Sequence, residues 1–463
     1  MKVLATMLLS LWLAPCCFAQ PQAPNPEADR NDLSNFDSYV RSKSFTEAYE
    51  PWKALRERNP KYHLSIYTSG EKILEYKVDN SSGAEKKAFL EDLLGLYDQR
   101  VDLFASKTKI GDILSKKAQV MYDFKEDLGV SDNAIFEAFN KAYKTDAATF
   151  TNPKALYTFY KIVVRMYDSG EKSAEDLFTI YDEISEKIEE EVKSYTKLVN
   201  KYVPQDDTEA VELSSKEARM VRSYNSYLRG YDQISMGMDK DLGDRANCDN
   251  LIPLYTKNYE ANKNDGLWLQ RAMNRMGTKG CTEDPLFIQI VEQKNSLEPN
   301  ADTAYYLGIL KDKEGASSEA LVYYNQAVEL ETDDYAKAKI LFKIATNFKG
   351  KRSYGNARAY YRKALQFNPS MGKAYLAIAQ MYASSANDCG DDNFSKRAVY
   401  WLAAAEARKA GRVDSNMSSA ASQTAANYEA KAPQRSEIFS SGRDGEVIKI
   451  GCWIGSSVTV PSL

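Results

Sequence analysis

The sequence predicts an all-α protein, a solenoid of stacked helix–turn–helix pairs closed by a small C-terminal β-hairpin. Three observations predict it. A pattern of small and aromatic residues recurs at helical spacing, proline is scarce at 14 residues in 463, and β-branched runs gather only near the end of the chain. A chain of this length is too long for one small core and suits a repeat array.

The clearest copy of the pattern is Ala357-x3-Tyr361-x2-Ala364-x4-Pro369. A second copy holds Ala320, Tyr324 and Ala327, with Thr332 where proline would fall, and a third holds Ala398, Leu402 and Ala405 after an inserted loop. Each follows a helix with its own small–aromatic signature: Leu307-Gly308, then Ile344-Ala345 with Phe348, then Ile378-Ala379 with Tyr382. Ala357 follows Ala320 by 37 residues, close to the ~34-residue period of one class of helical repeat. Small residues at Gly308, Ala320, Ala345, Ala357 and Ala379 let helix backbones approach, while Tyr324, Phe348, Tyr361 and Tyr382 fill the space between turns. Pro369 stops the second helix, since proline cannot continue it and restrains the residue before it. One such pair cannot bury its apolar face alone, so stacking is required.

The same spacing occurs early, in Ala48-x3-Trp52-x2-Leu55-x4-Pro60. A fainter copy, Ala174-x3-Phe178-x2-Tyr181, follows a helix through Phe159, Val163 and Tyr167 and a turn at residues 168–173. Segments around residues 89–104 and 134–143 are amphipathic helices without a repeat signature. Val291 to Pro299 repeats the Tyr361-to-Pro369 spacing, which starts the C-terminal array about one helix before Ala301.

Residues 1–19 read as a targeting signal: Lys2, an apolar run to Leu13 too short to span a bilayer, and cleavage near Ala19. Lipidation at Cys16 or Cys17 is the alternative, against which Pro15 counts. Export through this signal implies a periplasmic or outer-membrane-peripheral location. The expected order is a disordered lead at 20–32, an N-terminal helical array at 33–200, a linker at 201–212, a middle helical segment at 213–300, C-terminal repeats with a capping helix at 301–430, and a tail with short strands at 431–463. Val447 to Ile450 and Val458 to Val460 are the strands of the hairpin. No other apolar run is long enough for a transmembrane segment.

Beyond the signal the chain keeps Cys248, Cys281, Cys389 and Cys452, an even set for an oxidising compartment. Four cysteines allow three pairings. Cys248–Cys281 and Cys389–Cys452 are favoured because each would join neighbouring helical units; free buried thiols are the alternative. A metal site is weaker, for no CxxC exists and His63 is the sole histidine.

These repeats resemble those of tetratricopeptide-repeat proteins. More narrowly, Cys248-Asp-Asn-Leu-Ile-Pro, Lys279-Gly-Cys-Thr, Asn387-Asp-Cys-Gly and Gly451-Cys-Trp-Ile-Gly give the chain a similarity to exported repeat proteins of Bacteroidota-type bacteria. The resemblance covers most of the mature chain and implies a superhelical scaffold with no established reaction. It also implies that the first helix of each pair lines a concave groove. Asp302, Tyr305 and Ile309 fall there from one repeat, Lys339, Phe342, Thr346 and Lys349 from the next, and Lys373, Leu376 and Gln380 from the third. An apolar strip beside cations suits an extended peptide or a partner helix with acidic groups. The alternative places some of these aromatics in the core between repeats. The two-carboxylate clamp of chaperone-binding relatives needs Asn and Lys where Tyr305, Ile309 and Phe342 stand, and is not expected.

Little points to catalysis. No Ser-His-Asp or Cys-His set is obvious around His63, which reads as a surface or capping residue at a helix start. No phosphate loop, dinucleotide fingerprint or H-E-x-x-H occurs, so no cofactor is expected. The formal charge of -4 gives no basic excess for nucleic acid. Asp239-Lys-Asp241-Leu-Gly-Asp244 lacks the glycine spacing and terminal Glu of a calcium loop, and Asp388 to Asn393 reads as a solvated insertion. Glu189-Glu190-Glu191 reads as a wet helix face. The function expected is a non-enzymatic scaffold of the cell envelope that binds a protein or peptide. The alternative is a glycan- or nutrient-binding repeat protein at the outer membrane. Exposed Trp platforms would favour that alternative, but Trp52, Trp268 and Trp401 read as core and Trp453 lies in the tail.

Overall fold

The computed structural model describes residues 25–203 and 212–463. The expected targeting signal, Cys16 and Cys17, the start of the expected lead and most of the expected linker lie outside the described residues. Among the described residues there are 21 α-helices and one two-stranded sheet, and no helix is long and apolar enough to cross a membrane. Contacts divide the chain into two compact units, one up to Ile162 and one from Val163 onward.

The first unit opens with α1 (Pro26–Arg41), which corrects the expected disordered lead: the chain is helical from Pro26. Proline at the first helical position is pre-organised for the turn, and the Asn25 side chain accepts the Ala28 N–H at 3.2 Å. Asp29 is then buried at 1% exposure, held by Arg58 at 2.7 Å and Asn59 at 2.9 Å from the end of α2 (Phe45–Arg58). Ala48, Trp52 and Leu55 form the buried face of α2 as their spacing predicts. The Trp52 indole donates to the Ile66 carbonyl at 2.6 Å. Its ring lies so close to Gly70 of α3 (Ser65–Asp79) that a Cβ there would come within 2.5 Å of it. Next come α4 (Gly83–Phe104), α5 (Ile110–Asp123), the short α6 (Lys125–Leu128), α7 (Asp132–Asp146) and α8 (Pro153–Asp168). Stacked and tilted rings of Phe136, Phe139, Phe150 and Phe159 fill the core around α7 and the start of α8.

The second unit begins with two long helices, α9 (Ala174–Asn200) and α10 (Ser215–Leu242), each started by a capping box, from Ser173 and Ser214. They pack against each other. The segment read as a linker between arrays therefore joins two partners in one helical hairpin, and the division of the chain falls inside α8. Then follow α11 (Cys248–Asn262), α12 (Gly266–Thr278) and α13 (Pro285–Leu297). The Cys248–Cys281 disulfide ties the start of α11 to the turn after α12. Three pairs succeed them: α14 (Ala301–Lys313) with α15 (Ser317–Leu330), α16 (Asp334–Gly350) with α17 (Tyr354–Phe367), and α18 (Gly372–Ser384) with α19 (Asn393–Val413). Ala320, Tyr324, Ala345, Ala357, Tyr361 and Ala379 are buried at their interfaces. A Cβ on Gly308 would stand 2.5 Å from the Tyr324 ring. The cap is α20 (Ser418–Glu429), packed on α19 through Ala421 and Ala425 and followed by the short α21 (Arg435–Ser441).

The tail folds back as the expected hairpin. β1 (Val447–Ile450) runs antiparallel to β2 (Ser456–Thr459), with Val447 opposite Thr459 and Ile450 opposite Ser456. Ile448, Ile450, Ile454 and Val460 are buried against the last repeats. The Cys389–Cys452 disulfide fastens the turn. Trp453 lies between Tyr354 and Tyr382, 5.4 Å from each ring, and donates to the Ser385 hydroxyl at 2.9 Å. Arg443 reaches Asp392, the N-cap of α19, at 2.7 Å.

Gly308→Ala forces a methyl against Tyr324 and should cost about 1–3 kcal/mol, read as a lower urea midpoint; an unchanged midpoint would show that the ring swings aside freely. Asp392 has a carboxyl held down to about 2 by the Ser395 backbone N–H and then by Arg443. Its contribution to hairpin docking is complete above the ordinary Asp range near ~3.9 and is lost as pH falls through about 2. Pepsin cleavage within residues 443–463 should therefore rise as pH drops from about 4 to about 2, and Asp392→Asn should flatten that rise.

Candidate functional site

The first helices of the three C-terminal pairs, α14, α16 and α18, lie side by side and share one face. Lys343 links the first two, 3.3 Å from Asp302 and 5.4 Å above the Tyr305 ring. Phe342 packs on Tyr361 with ring centroids 5.2 Å apart, and Lys373 of α18 sits 4.5 Å over the Phe342 ring. Thr346 donates to the Phe342 carbonyl at 2.9 Å and shares a 3.1 Å hydrogen bond with the Tyr361 hydroxyl. Lys349 donates to Gln380 at 2.6 Å, and burial holds its ammonium below the usual lysine range. Tyr305, Phe342, Thr346 and Asn347, with Lys343 and Lys351, line an open recess of about 450 Å³.

Four of the expected groove residues lean on the interior. Leu376 packs on Ala379, Ala404, Ala407 and Ala425, where α18 meets α19 and α20. Tyr305, Ile309 and Phe342 pack against the core of the array, Tyr305 and Phe342 while also lining the recess. Lys343, Asn347 and Lys351 were missed by sequence reasoning. Lys343 and Asn347 lie four and eight residues beyond Lys339, so helical spacing alone could have found them.

Lys339 is not open groove. Its ammonium pairs with Glu189 of α9. Further bridges follow the same helix: Lys193 to Asp333 at 2.8 Å, Glu186 to Arg271 at 2.8 Å, and Asp182 to the buried Arg275. Helical spacing explains this. Asp182, Glu186, Glu189 and Lys193 recur at intervals of four, three and four and make one polar stripe, while Leu177, Ile180, Ile184 and Ile188 are buried. The acidic run is accordingly split rather than being one wet face: Glu189 bridges to α16, while Glu190 and Glu191 both hold the buried Lys187 at 2.9 Å.

α9 thus roofs the N-terminal turns of the shared face and leaves its C-terminal turns open. Beneath it are two cavities, of about 370 Å³ and about 580 Å³, with Ser185, Glu189 and Lys339 in the wall of both. Its length, 27 residues, is what carries α9 there. Elsewhere, His63 is exposed and its Nδ1 accepts the Ser65 N–H at 3.1 Å, at the start of α3. Asp239 accepts the Tyr181 hydroxyl at 2.8 Å. Trp52 is buried, Trp268 meets Tyr255 edge-on at 5.5 Å, and Trp401 packs on Phe394.

Paired helices, small–aromatic interfaces and a face shared by the first helices define a tetratricopeptide-type helical repeat fold. No family model matches the chain. It is similar to the Photosystem I assembly protein Ycf3 of Cyanophora paradoxa, 33% identical over 107 residues, 21% of this chain and 62% of that protein. With Ycf3 of Synechococcus elongatus it is 31% identical over 110 residues, 22% of this chain and 64% of that one. The chain therefore spans less than two thirds of the length of these relatives. A solved tetratricopeptide repeat protein from Parabacteroides merdae is 12% identical, with 68% of this chain and 97% of that chain covered and a TM-score of 0.26.

The Glu189–Lys339 bridge joins side chains that are 51% and 32% exposed, so solvent screens it. A double-mutant cycle of Glu189→Gln and Lys339→Met in urea should give a coupling below about 1 kcal/mol. A coupling above about 2 kcal/mol would mean the pair is desolvated.

Proposed function

We propose that this chain is a non-enzymatic interaction scaffold of the cell envelope, of the exported kind found in Bacteroidota-type bacteria, which binds a protein or peptide in the open half of the face shared by α14, α16 and α18. The observation that carries the reading is the recess of Tyr305, Phe342 and Thr346 flanked by Lys343, Lys349 and Lys373. Aromatic rings supply area at low entropic cost and the ammonium groups select acidic side chains. The chain's own α9 supports the chemistry, for an acidic helix already meets this face one turn away.

The two disulfides support an oxidising compartment. The curated relatives carry the name of an assembly protein, which supports a role in bringing other proteins together. The glycan-binding alternative draws no support from Trp52, Trp268, Trp401 or Trp453, which are buried or packed against neighbouring rings.

Crosslinking and affinity capture of the tagged chain from its native envelope should recover one or two stoichiometric proteins. A Phe342→Ala/Lys349→Ala variant with an unchanged melting curve should lose them. Retention of the same partners by that variant would remove this face as the site.

A further inference from the structure

We propose that the α9–α10 hairpin is a charge-latched lid, which closes over the N-terminal turns of α16 and α18 through surface ion pairs and swings aside for an acidic protein segment. The latch stands on geometry alone; its role as a cover rests on the reading of this face as a protein-binding one.

The hairpin is firmly rooted at one end. Near its base the buried Arg275 of α12 binds Asp182, the Tyr255 hydroxyl and the Phe178 carbonyl, the last at 3.2 Å, and lies 4.4 Å from the centre of the Phe178 ring. Tyr181 of α9 donates to Asp239 of α10 at 2.8 Å. Farther out, Tyr195 stacks on Tyr227 with ring centroids 4.9 Å apart and meets Tyr224 at 6.0 Å. The two helices therefore hold each other and move as one body.

Against the array the outer half has no such anchor. Among the described residues, the apolar core of the C-terminal array includes no residue of α9 or α10. Hollows of about 370 Å³ and about 580 Å³ lie between them instead. The ties seen across that gap are polar and at the surface: Glu189 to Lys339, Lys193 to Asp333, and Arg229 to Asn416 at 3.2 Å. Asp232 of α10 and Lys373 of α18 face each other as opposite charges across the larger hollow, which Asp414 also lines. An exposed ion pair biases an equilibrium by about fivefold at most, and salt weakens it. A segment with few apolar contacts opens at low cost. A partner carrying Asp or Glu at helical spacing then competes with Glu186 and Glu189 for Arg271 and Lys339, and shifts the population toward the open lid.

Nitroxide labels on Ser223→Cys in α10 and Thr332→Cys just before α16, both exposed positions, report the lid by pulsed dipolar spectroscopy on the full chain with its disulfides intact. One short distance is expected at low ionic strength. A second, longer one should appear at about 1 M salt, where charges are screened beyond ~3 Å. At low salt Glu189→Lys should raise the longer population at least about threefold, and Glu189→Lys/Lys339→Glu should return it to the wild-type level. A single unchanged distance through the salt series and in Glu189→Lys, in a chain with a cooperative melt, would overturn the lid. The cover is read by envelope capture, in which Glu186→Gln/Glu189→Gln should recover at least about twice as much partner as the wild type. Equal recovery with an open lid would overturn the cover and leave the open recess standing as the binding face, which the Phe342→Ala/Lys349→Ala variant tests separately.

Discussion

Several helices of this protein approach each other as closely as they do because a small residue faces an aromatic ring across the interface. Gly308 against Tyr324 and Gly70 against Trp52 are the tightest of these contacts that reach a ring by way of a repeat motif. Each trades helix propensity, about 1 kcal/mol for a glycine inside a helix, for the burial of a large ring, worth roughly 1.5–3 kcal/mol on transfer alone. The exchange is favourable only when the next helix supplies the ring. The interfaces are therefore cooperative, and they set the register in which α14, α16 and α18 present their faces.

On that framework the polar chemistry sorts itself by position along the helices. The N-terminal turns of α16 and α18 lie towards α9 and α10, where Asp333 meets Lys193, Lys339 meets Glu189, and Lys373 lines the larger cavity. The C-terminal turns, with Thr346, Lys349 and Gln380, stay outside that roof. One repeat face thus offers two kinds of environment: a roofed one, where its cations meet the acids of α9, and an unroofed one, where Tyr305 and Phe342 stand beside Lys343 and Lys351.

The end of the array solves a different problem. A repeat stack exposes an apolar end unless something covers it. Here α20 covers α19 with alanines, while the hairpin brings Ile448, Ile450 and Trp453 onto the last repeats and is held by Cys389–Cys452 and Arg443–Asp392. Covalent and ionic ties matter for a two-stranded sheet, which is marginal on its own.

The sequence by itself determined the local units. Ala48 to Pro60, Ala320 to Ala327 and Ala357 to Pro369 marked second helices, and the β-branched runs marked the hairpin, because helix period, proline stops and β-branching act over a few residues. The lead expected to be disordered is helical from Pro26 because Arg58 and Asn59, some thirty residues on, neutralise and bury Asp29. Only the tertiary structure decided where the long α9 lies, that Lys339 is already paired, that Leu376 serves the interior, and that Asp232, Asp414 and Lys373 share one cavity. Those outcomes depend on residues far apart in the chain, such as Lys339 and Glu189, 150 positions apart, coming together. Spacing within a helix says which residues share a face, and only packing says what that face meets.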